Sequence, residues 1–263
     1  MERVEEDRQI LIGVGVSRME TNIAIITDIH GNSAALKAVL ENIDKDKQIE
    51  HIYCLGDLIG IGHETNEVLE ILFSRENISF VKGNHDEAIL RIIEGKKPSS
   101  VGEEREHHQW IASRLDKKFI PRLTSIAMKL EKVINGINFL IVHYHLGEKD
   151  RFLSIDYQPN TDKLDEIYKN SNADVICFGH HHIIHHFKSS KRLYLNPSSL
   201  GCNFKPFAPY LKLRIGIAGQ IDVSFIEVPY DNKDFLLSYK NQNVPASDFI
   251  LKVFHGEQHL QYI

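Results

Sequence analysis

Apolar residues recur along this chain in two alternating rhythms. Asn22–Thr27 is a continuous run rich in β-branched side chains, and Ser33–Ile43 then places Ala35, Leu36, Val39, Leu40 and Ile43 three and four residues apart. The first rhythm is that of a buried strand, the second that of one face of a helix. The order repeats, with His51–Leu55 reading as strand, Asn66–Phe73 as helix and Ile78–Val81 as strand. Such alternation predicts parallel pairing through crossover helices. From Glu87 to Leu130 the pattern is mostly helical, with Ala88–Ile93 and Glu106–Leu115 separated by a loop at Gly95–Ser100 and punctuated at Pro121.

Beyond this insert, Met128–Val133 and Gly136–Val142 flank Asn135–Gly136, a pair suited to a type I′ hairpin, so antiparallel pairing is expected there. Asp174–Phe178, Arg192–Leu195, Tyr210–Ile217 and Gln220–Val228 supply further strands. The tail from Asp234 to Ile263 reads as helical and mildly amphipathic, and is expected to pack on the outer face of the domain. Together these elements predict an α/β fold of two packed mixed β-sheets flanked by helices, a four-layer α/β/β/α sandwich. Residues 1–18 are expected to be a peripheral N-terminal extension or a start-site artefact, and 19–263 a single domain with a helical cap insert at about 87–130 beside a crevice.

Composition narrows the function classes. With 263 residues, 42% hydrophobic and 25% charged, the chain is neither disordered nor a membrane protein by composition. A net charge of -5 argues against general nucleic-acid binding, which wants a basic face. Cys54, Cys177 and Cys202 are odd in number and widely spaced, which suits reduced buried thiols and a cytoplasmic location. The apolar stretch Ile10–Val16 is short and follows the acidic Glu5–Asp7, whereas a secretory signal opens on a basic segment, so export is not expected.

The chemistry sits in six polar clusters, each placed after an apolar run: Thr27–Asn32, Gly56–Asp57, Gly83–Asp86, His143–His145, Gly179–His182 and Asn196–Ser199. At the carboxyl ends of sheet strands they would meet in one crevice. In an extended segment Asp28 and His30 point to one side and Ile29 to the other; His180 and His182 obey the same rule, with His181 facing away. Asp57 is the natural bridging carboxylate, with two oxygens to share, Asn84 offers an amide oxygen and His143 an imidazole nitrogen. These seven nitrogen and oxygen donors are the ligands expected of a two-metal hydrolytic centre, and suit manganese, iron or zinc. Two cations about 3.5–4 Å apart would hold a bridging water acidic enough to attack a phosphate ester in line. His145 competes with His143 but does not abut the apolar run. His107, His108, His185 and His186 are expected at the surface or behind the ligands, and Asn203 and Lys205 outside the site.

TDIHGN, GDLIGIG, GNHD, the His143 segment, GHHH and NPSS, in this order, resemble the calcineurin-like metallophosphoesterases, and the bacterial and archaeal phosphodiesterase-type members in particular. The resemblance extends from about residue 22 to 255. It implies a pair of β-sheets between helical layers, one metal held by Asp28, His30, Asp57 and His182, and a second held by Asp57, Asn84, His143 and His180. It further implies that His85 contacts the phosphate and aids leaving-group departure, with Asp86 orienting it by a hydrogen bond. Three places depart from the family pattern: Gly60–Ile61–Gly62–His63, where relatives often read Gly-Tyr-Gly-Pro, so that a substrate-facing aromatic is missing and His63 is the candidate to replace it, and Tyr144 and Ser198, where glycine is common. All three are expected to touch specificity more than metal binding.

The function expected is hydrolysis of a small phosphodiester or nucleotide-type substrate with two divalent metal ions. A phosphomonoester or phosphoprotein is the alternative substrate. A noncatalytic scaffold on the same fold typically lacks ligands or the catalytic histidine, and this chain has both; a nuclease wants a basic stripe that the chain lacks.

Overall fold

A computed structural model describes residues 20–217 and 219–263; the expected extension at 1–18 lies outside the described residues. The chain runs β1 (Thr21–Ile26), α1 (Ser33–Lys45), β2 (Ile49–Cys54), α2 (Thr65–Phe73) and β3 (Ile78–Phe80), then three helices, α3 (Asn84–Ile93), α4 (Gly102–Arg114) and α5 (Ile120–Ser125). It continues as β4 (Lys129–Ile134), β5 (Ile137–Val142), α6 (Thr161–Ile167), β6 (Val175–Cys177), β7 (Ile184–Lys188), β8 (Leu193–Pro197), β9 (Phe207–Ile215) and β10 (Ile221–Pro229), and ends in α7 (Lys233–Asn241) and α8 (Ser247–Val253). The strands form two five-stranded mixed sheets, ordered β10-β9-β1-β2-β3 and β4-β5-β6-β8-β7. In each, three parallel strands carry antiparallel neighbours: β1, β2 and β3 in the first, β5, β6 and β8 in the second.

Alternation along β1 explains the layering. Ile23 and Ile25 join Tyr53, Leu55, Phe139, Ile141, Val175, Cys177 and Leu195 in a core shared by both sheets. Ala24 and Ile26 face the other way, onto Ala35, Leu36, Val39 and Leu40 of α1 and Val68, Leu69 and Leu72 of α2. On the far side, Leu140, Val142, Ile176 and Tyr194 pack on Leu164 of α6. The result is the four-layer sandwich predicted. The α1 stripe is the one read from spacing, and Asn32 caps the helix by accepting from the Ala35 N–H at 3.0 Å. Asn135 and Gly136, at φ +48° and +83°, turn the β4–β5 hairpin as expected of a type I′ turn.

Three features differ from the sequence reading. The edge strand β7 and the helix α6 lie in stretches where no element was predicted; β7 alternates exposed and covered residues, with His185 and Phe187 at the covered positions and Ile184 exposed. The tail does not cover an outer face. Phe235, Leu236, Tyr239, Ile250 and Leu251 instead close on Ile61 and Cys202, beside the loops that follow the strands. All three cysteines are buried and unpaired, as expected. No helix among the described residues is long and apolar enough to cross a membrane.

Candidate metal centre

The six parallel strands end on one side of the sandwich, and the polar clusters leave from those ends. The residues singled out by strand alternation do not lie in extended backbone. Asp28, His30, Asp57, His180 and His182 are not extended: each has a positive φ, between +48° and +69°. Aspartate and histidine tolerate this left-handed region better than most side chains, yet each such residue costs roughly 1–3 kcal/mol. Five of the seven expected ligands thus sit in loops that fold back on themselves where the two sheets meet.

Cross-loop bonds hold this conformation. The backbone N–H groups of Asp28 and His30 donate to the carbonyls of Gly56 and Asp57, at 3.1 and 2.9 Å. Asn196 donates to Gly179 O, and the Ser199 hydroxyl to Asp28 O at 2.8 Å, so the NPSS motif straps the GHHH loop to the TDIHGN loop. Gly179 lies against this strap, where an added Cβ would stand 2.1 Å from Thr27 Oγ1 and 2.6 Å from Asp28 Oδ2. Gly179→Ala is therefore expected to cost about 2–3 kcal/mol, as overpacking does. Thermal unfolding of the purified variant measures this, and an unchanged midpoint would show that the contact is not constraining.

The seven side chains converge. His143 Nε2 lies 3.1 Å from Asp57 Oδ2 and 2.9 Å from Asn84 Oδ1. His182 Nε2 lies 3.3 Å from Asp28 Oδ1 and 3.0 Å from His30 Nε2, and His30 Nε2 stands 3.7 Å from Asp28 and 3.8 Å from Asp57. Nitrogen and oxygen atoms of Asp57, His143 and His180 fall within 4.8 Å of one another. His181 lines the crevice but pairs with His185 at 2.8 Å and joins none of the close donor groups. His145 is buried elsewhere against Tyr168, so His143 alone of that pair reaches the cluster.

This donor set fits two divalent cations. His143 shows it best: its Nδ1–H donates to Leu55 O at 2.8 Å, which aims Nε2 at Asp57 and Asn84 and leaves that nitrogen as the one that would give up its proton to a cation. Asp57 Oδ1 accepts the His85 N–H at 2.9 Å, while Oδ2 faces both His143 and His30. Burial works against the Asp28 and Asp57 carboxylates, but neighbouring histidines outweigh it and hold both below the usual carboxylate range. The His143 imidazole, which burial would push down, is pushed up to about 9 by Asp57. Burial pushes His180 down to about 4.

His85 and Asp86 do not form the expected pair. Asp86 Oδ1 accepts the N–H groups of Leu58 and Ile59, at 3.0 and 3.2 Å, and Oδ2 accepts that of Gly83 at 2.9 Å. Its carboxylate caps α3 and ties down the GDLIGIG loop, and burial pushes it up to about 7. The partner of His85 Nδ1 is His108 on α4, at 2.8 Å. His108 is buried rather than superficial, as are His107 and His185, whereas His186 is exposed. No local signal in the α4 sequence separates His108 from its histidine neighbour.

The three departures support loops more than they face a substrate. Ser198 sits at φ +76°, where glycine would rest without strain, and its hydroxyl donates to His182 O at 2.8 Å. Tyr144 is buried behind the His180 ring, with centroids 4.7 Å apart. His63 pairs with Phe235 O at 3.0 Å and anchors α7. Asn203 and Lys205, expected outside, line the crevice together with Phe204 and Phe254. Cys202, read only as a buried thiol, brings its sulfur within 4.8 Å of His30 and His182 nitrogens.

The crevice ends in a cluster of carboxylates and imidazoles at the carboxyl edge of two sheets, a donor set that could hold metal ions. The sequence pattern of the calcineurin-like phosphoesterase superfamily domain matches residues 21–212, and the chain belongs to that family. An uncharacterised protein of Methanocaldococcus jannaschii is 30% identical over 205 residues, 70% of this chain and 77% of that one. The crystal structure of a hypothetical protein from Pyrococcus horikoshii shares the fold, with a TM-score of 0.76 and 20% identity over 90% of this chain and 98% of that one. A symmetrical bis(5'-nucleosyl)-tetraphosphatase of Cellvibrio japonicus is 37% identical over 71 residues, 27% of this chain and 26% of its own length.

Proposed function

We propose that the protein hydrolyses a small phosphodiester or nucleotide-type phosphate ester with two divalent metal ions. The observation that carries this reading is the convergence of seven side chains at one crevice: Asp57, Asn84, His180 and His182 line its floor, Asp28, His30 and His143 are buried behind them, and His85 stands on its wall. Asp28, His30, Asp57 and His182 would hold one cation, and Asp57, Asn84, His143 and His180 the other. When bound, the cations supply activation of water as nucleophile and neutralisation of phosphoryl charge. His85 contributes a hydrogen-bond donor to the phosphate, and the straps described above keep the ligands from relaxing when the floor is desolvated.

The crevice favours a small organic ester. It has a volume of about 1090 Å³, and Tyr157, Ile183, Phe204, Phe207, Val253 and Phe254 give it an apolar rim. Such a rim takes up a planar or apolar group attached to the phosphate. Glu104 and Glu227 stand among the lining residues against the single lysine, Lys205, so there is no basic stripe for a polynucleotide backbone. The stretch shared with a bis(5'-nucleosyl)-tetraphosphatase makes dinucleoside polyphosphates a natural member of the test panel.

With added manganese, the purified protein is expected to hydrolyse bis(4-nitrophenyl) phosphate at least roughly tenfold faster than 4-nitrophenyl phosphate, one apolar-pocket contact being worth that much. The reverse order would favour the phosphomonoester reading. No turnover of diester, monoester or dinucleoside polyphosphate, with two metal ions bound, would sink the enzymatic reading.

A further inference from the structure

His85 is held from two sides. Gly60, at φ +92°, lies so close that an added Cβ would stand 2.9 Å from His85 Cβ and Nδ1. His108 Nε2 meets His85 Nδ1 at 2.8 Å, and His108 Nδ1 meets Ser100 Oγ at 3.0 Å. His108 and Ser100 are 1% and 4% exposed, so water has little access to replace either partner. The Arg105 guanidinium donates to Ser100 O at 2.8 Å and fixes the loop that carries the hydroxyl to its helix.

We propose that His108, backed by Ser100, is a positioning residue that fixes both the orientation and the tautomer of His85, so that Nε2 presents an N–H to the phosphate. This rests on the phosphoesterase reading above. The direction of the chain follows from donor counting. A neutral imidazole has one donor and one acceptor nitrogen, so two directions are available. In one, Ser100 O–H donates to His108 Nδ1, His108 Nε2–H donates to His85 Nδ1, and His85 keeps its proton on Nε2. In the other, His85 donates through Nδ1 and turns a bare Nε2 lone pair to the crevice. A phosphate ester near neutral pH offers oxygen lone pairs and no proton to such a nitrogen, so only the first direction gives an attractive contact. Burial, which pushes His108 down to about 4, agrees with a neutral ring there.

The proposal separates a donor at position 108 from mere bulk. His108→Leu is expected to lower kcat for the best ester roughly 10- to 100-fold, the range for partners that orient a functional histidine, with KM changed by less than about threefold. His108→Gln can donate its amide N–H to His85 Nδ1 and is expected to recover most of that loss. His108→Glu can only accept when ionised, so it is expected to be no better than leucine. Glutamate outperforming glutamine would overturn the proposal, as would a leucine variant within threefold of the parent. Should position 108 variants fail to fold, Ser100→Ala carries the test, with a kcat loss in the same direction.

A second readout needs no turnover. Long-range nitrogen–proton spectra of the full chain, labelled at histidine, are expected to show His85 protonated at Nε2 in the parent and a mixture of tautomers in the leucine variant. A parent His85 protonated at Nδ1 would overturn the proposal. If the parent hydrolyses no ester at all, the functional reading fails while the spectra still decide the tautomer.

Discussion

Asp57→Asn is expected to lower phosphoesterase turnover by about 10³-fold or more and to reduce the bound metal from two ions to at most one. The two carboxylate oxygens of Asp57 have separate tasks. Oδ1 accepts the His85 N–H at the start of α3, and Oδ2 faces His143 and His30. An asparagine must choose. If its oxygen keeps the His85 N–H, the amide NH2 points at the position both cations would share, where a donor opposes binding. If it flips, two donors face each other at a buried helix end, which costs about 1–3 kcal/mol for the unsatisfied group. Gly83 gives no room to relax, because a Cβ there would lie 2.0 Å from Oδ1. Metal analysis beside kinetics is the check. A variant that keeps two ions and more than a tenth of the parent rate would refute the shared-oxygen reading.

The asymmetry of Asp57 shows where sequence patterns stop. The identity of the candidate ligands was legible because aspartate, asparagine and histidine are costly to bury at strand ends without a shared use. The sandwich was legible because apolar period and strand-helix order need only local information. Loop conformation was not. The left-handed backbone at Asp28, His30, His180 and His182 depends on bonds to Gly56, Asp57 and the Asn196–Ser199 strap, far off in sequence. The partner of His85 was hidden for a related reason. Asp86 is adjacent in sequence and chemically suitable, but the start of α3 turns its carboxylate onto backbone N–H groups, and the free space beside His85 is filled from α4. The tail's position followed neither from its mild amphipathicity nor from its polarity. Its anchor is His63, a single residue in a loop 172 positions before Phe235.

The same cap-and-tail region is expected to lose stability as the pH falls from 7 to 5. Burial pushes His107, on α4, down to about 4 and His255, beyond α8, down to about 3. His107 stacks on Trp110, and His255 Nε2 meets the Tyr239 hydroxyl at 3.2 Å, in the cluster where the tail closes on the loops. Both values lie below the ordinary 6.5, so the unfolded chain takes up each proton first as pH falls. Their neutral forms therefore cost nothing above about pH 6.5, and stability is lost progressively from there down toward pH 4 for His107 and pH 3 for His255. At pH 5 the gap is about 1.5 units for each, or about 2 kcal/mol per histidine and about 4 together. That is a large share of the roughly 5–15 kcal/mol that holds a domain folded. Urea unfolding between pH 7 and 5 is expected to show uptake of about two protons or more on unfolding at the acid end, and His255→Gln to remove about one of them. Because the affected helices border Ile61, His108 and Phe254, loosening there exposes the His85 side of the crevice before the sheets give way. Stability independent of pH across that range would mean that these rings reach water or a proton-accepting partner in the folded state.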